Sequence, residues 1–227
     1  MQTLTKYLLV SLAVISLATA VRAGAQTTDT LQHLVDTNGS LVIGDKVFSD
    51  FDFTASGLSG FDASQIQVTA SFSGGIYYLT WGGNISLVSG GSATADLLLN
   101  YTVTATAGQI DMIDQLYTGS AQPNNGAFLS VDETVRNSQG TLVANSHLQG
   151  EDLADPFAEP GDDLIIDPGE TVLHVTKDIG LGIVNGGFVT ISEVRQSFHQ
   201  VPEPASAVLF GTGLAALAIV GLRRRRS

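Results

Sequence analysis

Apolar and polar side chains alternate strictly over two long stretches of this chain. Between residues 64 and 72, Ile66, Val68, Ala70 and Phe72 fall on one side and Gln65, Gln67, Thr69 and Ser71 on the other. A period of two marks a β-strand with one face buried and one wet. Residues 95–107 repeat the pattern, with Leu97, Leu99, Tyr101, Val103 and Ala105 opposing Asn100, Thr102, Thr104 and Thr106. Shorter runs predict strands over residues 46–54, 76–81, 85–89, 127–135, 141–147, 171–179 and 188–198. Turn-forming clusters separate them: Gly74-Gly75, Gly82-Gly83-Asn84, Gly90-Gly91, Asn124-Asn125-Gly126, Asp167-Pro168-Gly169 and Asn185-Gly186-Gly187. No amphipathic helix of ordinary length is visible in the body, and residues 111–117 fit a strand or a helical turn equally. About nine strands at this spacing predict an all-β fold, an antiparallel two-sheet β-sandwich. The lack of a fixed-period repeat argues against a solenoid or propeller.

The two ends break this pattern. Lys6 precedes an apolar run over residues 7–20, and small residues follow, with Ala23 and Ala25 fitting an A-x-A cleavage site. Residues 1–25 therefore read as a signal peptide. At the other end Pro202-Glu203-Pro204 leads into an uncharged apolar run over residues 205–222, then Arg223, Arg224, Arg225 and Arg226. As a transmembrane helix that run is about 27 Å long, near the minimum for crossing a bilayer. The arginines hold its far end in the cytoplasm and place everything before Pro202 on the outer side.

Box, helix and arginine cluster in this order resemble the PEP-CTERM sorting signal of Gram-negative bacteria. The resemblance implies cutting near the box by an exosortase-type membrane protease. It also implies transient anchoring by the C-terminal helix, then delivery to the cell surface or an extracellular polysaccharide matrix. The chain divides into a signal peptide over residues 1–25, a passenger domain over 26–200 and the sorting signal over 201–227. Through LVIGDKVFSDFDFTASG and VTKDIGL the passenger resembles β-rich exported proteins that accompany this signal and have no assigned activity.

Charge narrows the passenger's partners. All 22 acidic residues lie between Asp29 and Glu203, against only Lys46, Arg136, Lys177 and Arg195 there, a net charge of 4 − 22 = −18. Such a body does not bind nucleic acid or anionic lipid by electrostatics. The chain has no cysteine, so disulfides, thiolate metal sites and cysteine catalysis are excluded.

The densest candidate chemistry is the stretch 151–170. Asp155, Glu159, Asp162, Asp163 and Asp167 are its candidate calcium ligands, since carboxylates on a loop are the hard oxygen donors that calcium takes. The spacing matches no EF-hand loop, so a solvated acidic loop is the competing reading. Asp50 and Asp52 alternate with Phe51 and Phe53 as the wet face of a strand. His33, His147, His174 and His199 are scattered without metal-ligand spacing, and no G-x-S-x-G elbow offers a serine nucleophile. Residues 211–216 fit a G-x-G-x-x-A dinucleotide fingerprint, but inside the apolar run, with no βαβ context, so no cofactor follows. Tyr77, Tyr78 and Trp81 serve either as core or as a sugar-stacking platform. These features leave three function classes. The leading expectation is a non-enzymatic surface or matrix protein, followed by a glycan- or calcium-binding module and a secreted hydrolase.

Overall fold

A computed structural model describes residues 26–122, 126–151 and 162–201. The expected signal peptide, the sorting signal from Pro202 onward and the middle of the acidic loop lie outside the described residues. The elements run in order β1 (Gln26–Thr30), α1 (Leu31–Thr37), β2 (Leu41–Ile43), β3 (Lys46–Ser56), a 3₁₀ turn (Ala63–Gln65), β4 (Gln67–Ser73), β5 (Ile76–Ser89), β6 (Ala93–Ala105), β7 (Gln109–Ala121), β8 (Phe128–Asn137), β9 (Leu142–Glu151), β10 (Leu164–Glu170), β11 (Val172–Ile183) and β12 (Gly187–Val201). They form two six-stranded sheets, ordered β1-β4-β5-β12-β7-β10 and β2-β3-β6-β11-β8-β9. Only β2–β3, β4–β5 and β8–β9 join neighbours within a sheet; every other connection between consecutive strands crosses to the opposite sheet. All strand pairs are antiparallel. The expected antiparallel two-sheet sandwich is what the chain forms. Among the described residues, no helix is long and apolar enough to cross a membrane.

The alternation read from the sequence decides which face of each strand is inside. Leu97, Leu99, Tyr101, Val103 and Ala105 of β6 are buried, as are Val68 and Ala70 of β4. Tyr101 sits at the aromatic centre, its ring 5.1 Å from Trp81 and 6.5 Å from Phe198 of the facing sheet. Phe48 packs 5.2 Å from Phe198. Trp81 is 1% exposed, so the indole is core and not a sugar platform. Trp81→Ala removes the largest fully buried side chain and should cost about 3–5 kcal/mol. The expected reading is a lower urea midpoint at unchanged slope; an unmoved midpoint would place the indole outside the core.

Two expected turns are absent. Gly82-Gly83-Asn84 does not separate strands, because β5 continues through it with a register shift against β12 between Ile191 and Glu193. A bulge absorbs the extra residue. A Cβ on Gly83 would lie 2.6 Å from Ile66 Cδ1, so the glycine permits close approach rather than a reversal. Asp167-Pro168-Gly169 likewise lies inside β10, where the pairing with β7 is irregular between Ile165 and Glu170. Proline is tolerated there because β10 is an edge strand. Residues 111–117 are strand, within β7. The short helix α1 is capped by Thr30, whose hydroxyl accepts from His33 N, and it buries Leu31 and Leu34.

Candidate functional site

β12 runs between β5 and β7, and its outward side chains form the floor of a shallow groove on the first sheet. The register aligns Tyr78, Ser197 and Asp114 across the three strands. With Ile76, Leu116, Arg195 and His199 they line a cavity of about 250 Å³. The Arg195 guanidinium lies 5.6 Å from the Tyr78 ring centroid, a cation–π contact. His199 Nε2 is 3.0 Å from Ser197 Oγ and 3.2 Å from Asp114 Oδ2. The trio is not a hydrolytic relay. A relay needs serine on one imidazole nitrogen and the carboxylate on the other, whereas here both meet Nε2. What the groove offers is hydrogen-bonding groups of both signs beside apolar and aromatic surface. Sequence reading found Tyr78 but not its partners. Ser197 and His199 share a face at a spacing of two, yet only strand register brings Asp114 beside them.

A second polar group lies between the sheets. Lys177 of β11 and Glu133 of β8 are in register, fully buried, and paired through Nζ and Oε2. Gln115 and Gln196, in register on β7 and β12, face them from the other sheet. Lys177 Nζ also donates to Gln115 Oε1 at 2.8 Å, and Gln196 Nε2 donates to Glu133 Oε1 at 3.3 Å. Burial pushes the Glu133 carboxyl up and the Lys177 amine down, in each case against the partner's charge. Burial, with Glu133 nearby, also holds the Tyr101 phenol well above its ordinary value.

Lys46 is buried as well, near the end of the sandwich where β12 finishes. Its amine donates to Asp45 Oδ1 at 2.9 Å and to Gln200 Oε1, and lies 4.4 Å over the Tyr77 ring. Gln200 Nε2 in turn donates to Asp45 Oδ2 at 2.8 Å and Ala107 O at 2.6 Å. Burial and a hydrogen bond to Asp45 push the Tyr77 phenol up to about 12. These bonds fasten the last turn of β12 one residue before Val201, directly ahead of Pro202.

Of the expected calcium ligands, Asp155 and Glu159 lie outside the described residues, Asp162 and Asp163 immediately precede β10, and Asp167 is exposed within it. Among the described residues no group of three His, Asp or Glu side chains is placed to hold a metal ion. Ala23, Ala25, Pro202, Glu203, Pro204 and Arg223 to Arg226 also fall outside the described residues. Asp50 and Asp52 are exposed, Asp50 at the bulge where β3 shifts register against β6. His33 and His147 are exposed beside Asp29 and Asp132, and His174 bonds Thr102 at 3.0 Å.

The outer face of the second sheet concentrates negative charge. Asp178 stands directly opposite Asp132, with Asp96 on the flanking strand. Partial burial, then Asp96, then Asp132 push the Asp178 carboxyl up. The folded state therefore keeps that proton to higher pH than the unfolded chain, and stability falls as pH rises from the ordinary carboxylate value through the raised one. Asp178→Asn should gain about 0.5 kcal/mol at neutral pH and low salt, less at high salt because the site is exposed. In urea melts the gain should vanish once the solution is acid enough to protonate Asp178; a gain independent of pH would mean the repulsion is not its source.

Comparison with known proteins identifies the C-terminal segment. Residues 200–226 match the PEP-CTERM protein-sorting motif. No curated protein matches the chain. Among solved structures, TmCBM61 in complex with β-1,4-galactotriose is similar at 10% identity and a TM-score of 0.33, covering 65% of this chain and 87% of that one. The glycosylation-associated protein complex Gap123 from Streptococcus agalactiae is similar at 15% identity and a TM-score of 0.31, covering 74% of this chain and 28% of that one. A carbohydrate-binding module of the β-sandwich superfamily is similar at 10% identity and a TM-score of 0.33, covering 67% of this chain and 57% of that one.

Proposed function

We propose that this chain is an exported, non-enzymatic surface or extracellular-matrix protein, sorted through its tail and cut by an exosortase-type protease. The observation that carries the reading is the PEP-CTERM motif over residues 200–226, which marks the chain for export and sorting. Two further features support it. The N-terminal pattern of charge, apolar run and small residues is that of a cleaved export signal. The last strand of the sandwich ends at Val201, so the box follows the folded body without a linker. Intact-mass measurement on the native protein from culture supernatant and from membranes tests this reading. A species beginning near Gln26, ending near the Pro-Glu-Pro box and found outside the cell is the expected result. A species found only in membranes and retaining Arg223 to Arg226 would overturn the processing step.

A second reading, specific to the groove, is contact with a glycan of the matrix. Tyr78, Ile76 and Leu116 supply apolar surface for the CH face of a sugar, while Asp114, Arg195 and His199 supply donors and acceptors for its hydroxyls. In titrations against soluble bacterial polysaccharides, Tyr78→Ala should weaken binding about tenfold, the worth of roughly one aromatic contact. Binding that is absent in the native protein, or unchanged in the variant, would remove the groove from consideration.

A further inference from the structure

Lys177 and Glu133 are neighbours in one sheet, and both side chains are shut away from water. Burial drives the amine toward its neutral form and the carboxyl toward its acid form. Across the gap between the sheets the same amine rests 2.8 Å from Gln115 Oε1. Gln115 is held from its other side, Nε2 donating to Val131 O at 3.2 Å and Ser146 Oγ at 2.5 Å. The hydrogen bond to Oε1 sets the amine beside the amide group, and in its neutral form, which burial favours, the amine is a nucleophile for the carbonyl carbon. We propose that Lys177 and Gln115 join through their side chains in a self-formed amide bond, with Glu133 as proton carrier, locking the two sheets together covalently.

The step balances without any further reactant. The Lys177 Nζ lone pair attacks Gln115 Cδ, and the carbonyl π electrons move to Oε1. Glu133 takes a proton from Nζ on one oxygen and delivers one to Gln115 Nε2 from its acid form. As the carbonyl reforms, the Cδ–Nε2 bond breaks with its electrons on nitrogen and ammonia leaves. A primary amide and an amine have become a secondary amide and ammonia, and Glu133 is regenerated. Gln196, donating to Glu133 Oε1, is a positioning residue.

Lys46 is an internal control. It too meets a carboxylate and a glutamine oxygen, but Asp45 is 19% exposed. Although partial burial would raise the Asp45 carboxyl, hydrogen bonds from Lys46, Tyr77 and Gln200 hold it below its ordinary value. Asp45 thus stays ionised and has no proton to deliver, so Lys46 stays a free amine.

The test is a tryptic map of the exported protein after complete unfolding. The expected result is cleavage after Lys46, no cleavage after Lys177, and a branched species joining the peptides that carry Gln115 and Lys177, lighter by one ammonia. A linear peptide ending at Lys177 would overturn the proposal. A branched species lighter by one water would overturn it too, since that product joins Lys177 to Glu133. Glu133→Gln keeps the shape of the side chain but removes the proton carrier, and cleavage after Lys177 should return. A Glu133→Gln protein that is still branched would remove Glu133 from the reaction. If that variant fails to fold, the map of the native protein alone decides.

Discussion

With Pro202, Glu203 and Pro204 all replaced by alanine, the protein should accumulate uncut in the inner membrane with Arg223 to Arg226 still attached. The physical reason lies in the backbone. Each proline fixes φ and lacks an N–H, and each biases the residue before it away from helix. Val201 ends a strand of the sandwich, and the apolar run expected to span the membrane begins at Ala205, so in the proposed reading the three residues of the box stand between the two. Alanine has the highest helix propensity of any residue. Three of them favour helix where the prolines oppose it, and in the proposed reading that removes the extended segment a protease needs. Membrane fractionation with intact-mass measurement reads the outcome. Normal release of the triple variant would show that the box is not the processing signal.

The second large effect concerns the buried pair. Lys177→Met is close in shape, but it leaves the buried Glu133 carboxyl without the Lys177 nitrogen that bonds it and should cost about 3–5 kcal/mol. In that variant Glu133 keeps the raised value that burial imposes and loses the Lys177 hydrogen bond that opposes it. The folded state then holds a proton that the unfolded chain gives up, so stability falls as pH rises above the ordinary carboxylate range. Adding Glu133→Leu removes the stranded group, and the double variant should recover most of the loss and most of the pH dependence. Urea melts of the native protein and the three variants form a double-mutant cycle. Additive losses would mean that the two side chains do not act as a pair. The double variant also lacks the amide link proposed for Lys177, so any stability it fails to recover bounds the contribution of that link.

Several parts of this molecule are legible in its sequence. The period of two in β4 and β6 determined which side chains are inside, because a strand places alternate residues on opposite faces whatever its neighbours are. The tail was equally plain, since a proline box, an apolar run and an arginine cluster act through composition and order alone. Gly82-Gly83-Asn84 and Asp167-Pro168-Gly169 were misread as turns for one reason: glycine and proline also mark bulges and edge strands, and sequence does not say which strand lies at an edge.

The two polar clusters belong to the tertiary structure. Lys46 and Lys177 look in the sequence like the few cations of an acidic surface, yet both are fully buried. Each sits at an inward position of its strand, and that alternation was available; what was not available was the set of partners. Glu133 and Gln115 lie 44 and 62 residues from Lys177, and Gln200 lies 154 residues from Lys46. Local pattern determined that this chain is a sandwich with an export tail. Which polar groups meet inside it was decided by strand order and register, because a buried charge is tolerated only where the fold supplies its partners.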